Sequence, residues 1–179
     1  MSSAIAANPL LGPELQSAQS GDVLVTVVDA PFVVLPKIFE KAAGFPVDFL
    51  QNNRNSIELA NVLENDGVLV KFLVDKDIEQ LLGRFGIRHE ITNLLSSGVE
   101  RVAELESQTL SLVIRQSGNL VFANQFHCQG VTDAVYHILN VYKQLSLDVD
   151  TPLEVCSTKE LSDMLANYVN VSLSFNINS

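Results

Sequence analysis

The chain has 179 residues, 47% of them hydrophobic, with nine Phe and no Trp, enough to bury a sizeable core in one domain or two small lobes. Eleven Lys and Arg against 21 Asp and Glu leave a net charge of −10 with no basic run, which argues against a nucleic-acid partner and against attraction to an anionic membrane. No apolar run reaches the roughly eighteen residues of a membrane span, the N-terminus lacks the basic start of a signal peptide, and two cysteines make no disulfide framework, so a reduced, cytoplasmic protein without membrane insertion is the expectation.

Residues 1–21 are rich in Ala and Ser, carry Pro9 and Pro13, and are expected to form a mobile arm, with Leu10 and Leu11 able to dock locally. Val23 to Val28 is an almost continuous apolar run and reads as a buried strand, broken by Asp29-Ala30-Pro31. Phe32 to Leu35 is apolar again, and Pro36 suits the first turn of a short helix over Lys37 to Ala43, stopped by Gly44 and Pro46. A polar loop over residues 51–55 leads to a strand marked by Ile57, Leu59 and Leu63. Asn65-Asp66-Gly67 is its turn, and Val68 to Val74 the strongly apolar return. Ile78, Leu81, Leu82 and Phe85 mark a helix ended by Gly86. Ile87 to Ile91 reads as a strand, and Leu95, Val99 and Val102 as a helix leading onward.

Thr109 to Cys156 is the most sharply patterned stretch. Leu110 to Gln116 suits a pleated surface, and Ser117-Gly118-Asn119 supplies residues that tolerate positive φ in a tight hairpin. Leu120, Phe122 and Phe126, with Asn124 between them, share one face of the return strand; Val121, Ala123, Gln125 and His127 share the other. After Gly130 the period changes: Val131, Val135, Ile138, Leu139, Tyr142 and Leu145 form a helical stripe. Asp133, His137, Asn140 and Gln144 lie off it, as does Tyr136, which is either exposed or packed on a neighbouring lobe. Pro152 closes the helical segment and Leu153 to Cys156 is a short buried strand. Ser157-Thr158-Lys159-Glu160 has capping-box spacing, opening a helix with Leu161, Met164, Leu165 and Tyr168 inward. Val171, Leu173 and Phe175 alternate as a last strand. Two hairpin-plus-helix units in succession make an α/β protein with mixed sheets: an arm over 1–21, a first lobe over 22–107 and a second over 108–179.

Several pieces carry a family resemblance. They are Val34-Leu35-Pro36 with Phe39, Val68 to Val74, Asn124-Gln125-Phe126, Asp133 to Leu139 continuing through Gln144 to Asp148 and Pro152-Leu153, and Ala166-Asn167-Tyr168. Over roughly residues 23–176 the chain resembles an uncharacterised family of bacterial proteins, mainly from the Bacteroidetes. That family looks like a member of the actin, sugar-kinase and heat-shock-chaperone superfamily, built from two ribonuclease-H-like lobes. The resemblance implies an actin-like fold here in abbreviated form, with Thr109 onward in the second lobe.

Catalytic members of that superfamily place an acidic, glycine-containing turn on the opening hairpin of each lobe, where carboxylate orients metal and water and backbone N–H groups meet phosphate. The candidates here are Asp29 in the first lobe and Ser117 with Gly118 in the second. Both are weak: Asp29 precedes Ala30 and Pro31, which has no N–H, and the second turn lacks an acid. His127-Cys128 resembles a phosphatase loop, but Ala134 stands where the loop needs Arg. Cys156 precedes a helix start, where a thiol's pKa falls, but no base is adjacent in sequence; a buried strand cysteine is the better reading. His89, His127, His137 and the two Cys lack metal spacing. Asp148-Val149-Asp150-Thr151 reads as a solvated turn, and Gly83 to Gly86 as a helix end. No catalytic residue, metal or cofactor is expected. The leading expectation is a non-catalytic interaction or scaffold module with an unidentified protein partner, recognised through a sheet edge, groove or helix face. The rivals are a degenerate nucleotide binder or weak ATPase using the interlobe cleft, and self-association into a homo-oligomer.

Overall fold

The strongly apolar run Val68 to Val74 becomes an inner strand, whereas Val25 and Val27, expected in a buried strand, are only half-buried and Thr26 is exposed. The computed structural model describes residues 24–27, 30–39, 55–77, 79, 86–157 and 159–173, and the chain divides into two compact units after Thr92. The expected arm, Asp29, the short helix beyond Phe39, the loop residues 51–54, the helix marked by Ile78 to Phe85, Thr158 and Phe175 lie outside the described residues.

In the first unit, Leu24–Val27 (β1) pairs in parallel with Gly86–His89 (β5). Phe32–Pro36 (β2), Ser56–Leu63 (β3) and Val68–Asp75 (β4) form an antiparallel sheet in the order β2-β4-β3. Central β4 is buried from Val68 to Val74 except at Lys71, whose ammonium meets Glu58 of β3 at 2.7 Å. Among the described residues Phe32 to Leu35 is thus an edge strand, with Pro36 at its end where proline is tolerated; Lys37–Phe39 winds on as a 3-10 turn. The β3–β4 turn closes at Gly67 with φ 63°, as Asn65-Asp66-Gly67 predicts.

Asn61 joins the two sheets of this unit. Its Nδ2 donates to the Ile87 carbonyl at 3.0 Å and its Oδ1 accepts from the His89 N–H at 2.9 Å, so one side-chain amide replaces a backbone bridge between β3 and β5. The His89 ring is fully buried. Its Nδ1 accepts from the Ile91 N–H at 3.2 Å, which leaves Nε2 to donate to the Ala30 carbonyl at 2.9 Å and defines a neutral ring.

A short helix, Ile91–Ser96 (α1), runs across the division. Arg101–Glu106 (β6), Thr109–Gln116 (β7), Asn119–His127 (β8), Val131–Gln144 (α2), Leu153–Cys156 (β9), Lys159–Leu165 (α3) and Val171–Leu173 (β10) follow. Their five strands make one sheet in the order β10-β9-β6-β7-β8. Strands β6, β7 and β8 are an antiparallel meander; β9 joins β6 in parallel and β10 joins β9 in parallel.

The helix expected over Leu95 to Val102 is not formed. Ser97 closes α1, its N–H and hydroxyl both donating to the Leu94 carbonyl, and Gly98 turns the chain at φ 70°, a conformation glycine adopts freely. The next residues form β6, the middle strand of the sheet. The second unit therefore opens at Asn93, not at residue 108.

Helices α2 and α3 contribute to the same core as one sheet face. Leu110, Leu112, Ile114, Leu153 and Val155 are buried with Ala134, Ile138, Leu161 and Leu165. The predicted α2 stripe holds: Val135, Ile138 and Tyr142 are buried, while Val131, Leu139 and Leu145 pack at its margin. Tyr168 does not join the α3 stripe and is exposed. The Ser157 hydroxyl donates to the Leu105 carbonyl of β6 at 2.9 Å, tying the end of β9 to its neighbour.

Candidate functional site

The opening hairpin of the second sheet is β6–β7, not the β7–β8 hairpin that holds Ser117 and Gly118. The β6–β7 turn is Ser107-Gln108, with Ser107 at φ 54°. It has Glu106 before it and no glycine. The Gln108 carbonyl accepts from the Cys128 N–H at 2.7 Å, anchoring this turn to the end of β8.

The β7–β8 turn places Ser117 at φ 53° and Gly118 at φ 78°, the geometry of a two-residue hairpin matched to strand twist. A Cβ on Gly118 would meet nothing within 4 Å, so conformation alone calls for glycine. Here the structure supplies an acid that the local sequence does not: Glu100 Oε1 accepts from the Ser117 N–H at 3.2 Å. Arg115 turns inward. Its Nη1 donates to the Val99 carbonyl at 2.9 Å and its Nη2 to the Leu95 carbonyl at 2.6 Å, a cation on the carbonyls at and beyond the C-terminus of α1.

Backbone geometry sets the outer edge. The Cys128 N–H bonds the Gln108 carbonyl and the Arg115 N–H bonds the Glu100 carbonyl. In an antiparallel ladder, alternate pairs exchange bonds. Phe122, Asn124 and Phe126 therefore bond β7, while Ala123 and His127 turn N–H and C=O away from it. On the α2 side, Phe126 stacks on His137 with centroids 4.5 Å apart, and Tyr136 meets the His137 edge at 5.6 Å. Tyr136 is 65% exposed.

The remaining candidates are not brought together. His127 is exposed and Cys128 buried; burial, with Asp133 adding, pushes the Cys128 thiol up, the opposite of an activated nucleophile. The Cys156 sulfur lies 4.0 Å from Glu154 Oε1. Asp148 Oδ1 accepts from the Asp150 N–H and Oδ2 from the Thr151 hydroxyl, so this acidic loop is bonded to itself as a turn. Gly86 opens β5, and Gly83 lies outside the described residues. Among the described residues, no three His, Cys, Asp or Glu side chains lie together as a metal site. Asn61, Glu100, Arg101 and Arg115 escape a reading of the sequence, because each acts on backbone distant in the chain.

Comparison with known proteins agrees with this topology. Residues 22–168 match the family described as protein of unknown function DUF3822, and the chain belongs to that family. No curated protein matches it. A crystal structure from Bacteroides thetaiotaomicron VPI-5482, described as a protein with actin-like ATPase fold and unknown function, is 20% identical. It aligns with a TM-score of 0.70 over 85% of this chain and 68% of that one. A second similar structure is the AlfA filament bound to AMPPNP, at 15% identity and a TM-score of 0.42, over 87% of this chain and 54% of that chain. The fold is actin-like α/β with mixed sheets. Among the described residues, no helix is long and apolar enough to cross a membrane.

Proposed function

We propose that this chain is a non-catalytic protein-interaction or scaffold module that keeps an actin-like fold without nucleotide hydrolysis. One observation carries the reading. The turns at the two ends of β7 are tied to the protein's own groups: the Gln108 carbonyl to Cys128, and the Ser117 N–H to the Glu100 carboxylate. A phosphate at Ser117-Gly118 would displace a carboxylate from its hydrogen bond and then face it as a like charge. The opening turn, Ser107-Gln108, has no glycine to bring backbone close to phosphate.

A thermal-shift titration with ATP and Mg²⁺ tests this. A ligand held only by the native state at a hundred times its Kd stabilises that state by about 2.7 kcal/mol. The expected result is an unchanged melting temperature. A saturable rise overturns the reading in favour of a nucleotide-binding protein.

A further inference from the structure

We draw no further inference here: the strongest candidate, the aromatic surface patch in which exposed Tyr136 of α2 meets the edge of His137, itself stacked on Phe126 of β8, carries nothing because nothing in the structure shows what covers it.

Discussion

Buried polar side chains of the second unit differ in how well they are satisfied. The guanidinium of Arg115 ends on two carbonyls. Arg101 reaches the Asp148 and Thr151 carbonyls through Nη1 and lies over the Tyr142 ring, 5.4 Å from its centroid. Yet Arg101 Nε and the Tyr142 hydroxyl, both buried, make no hydrogen bond of good geometry among the described residues. Burial pushes the Tyr142 phenol above its ordinary 10.0, with the Arg101 cation opposing and Asp148 adding a smaller rise. Two consequences follow for Tyr142→Phe. Removing a buried hydroxyl whose contact with Arg101 falls short of a well-formed hydrogen bond should leave stability at neutral pH within about 1 kcal/mol of the parent or above it. In the parent the phenol deprotonates earlier in the unfolded state than in the folded one. The protonated form's contribution is therefore complete below pH 10.0 and is lost as pH climbs from there through the raised value. Urea midpoints at neutral pH and at about pH 11 should show a smaller alkaline loss in the Phe variant; equal losses would mean that Tyr142 is not the linked group.

Elements were legible in the sequence where one signal dominated. The alternation and Ser117-Gly118 of the β7–β8 hairpin, the helical stripe of α2 and the apolar run of β4 all appear where the pattern puts them. Strand β6 is hidden in the sequence because Leu95, Val99 and Val102 match a helical period, although Ser96-Ser97-Gly98 between them is a stop signal and Ala103 to Glu106 alternates. With β6 hidden, the sequence pattern puts the opening hairpin of the second sheet at β7–β8, with its turn at Ser117-Gly118, whereas the structure opens that sheet at Ser107-Gln108. Asn61 was invisible for another reason: its role depends on β5 arriving 26 residues later. Asn61→Ala leaves the Ile87 carbonyl and the His89 N–H without this partner in a part-buried site. A loss of about 1–3 kcal/mol is expected, read as a lower urea midpoint with faster hydrogen exchange along β5. An unchanged β5 would show that its parallel pairing with β1 suffices to hold it.

Across the whole molecule, charge works against compactness. Eleven bases against 21 acids leave −10, and a net charge of that size repels itself more strongly when the chain is folded than when it is extended. Opposing this among the described residues are the half-buried pair of Lys71 with Glu58 at 2.7 Å and, on the surface, Lys159 with Asp163 at 4.0 Å and Lys37 with Glu64. Each pair of this kind is worth about 0–1 kcal/mol, and salt weakens it. Repulsion among ten uncompensated charges is summed over many longer separations, where screening acts hardest: the Debye length falls from about 30 Å at 0.01 M salt to about 8 Å at 0.15 M. Added sodium chloride over that range should therefore raise the urea midpoint. A falling midpoint would give the larger share to the ion pairs, with Lys71 and Glu58 the first to test because the Lys71 side chain is only 12% exposed.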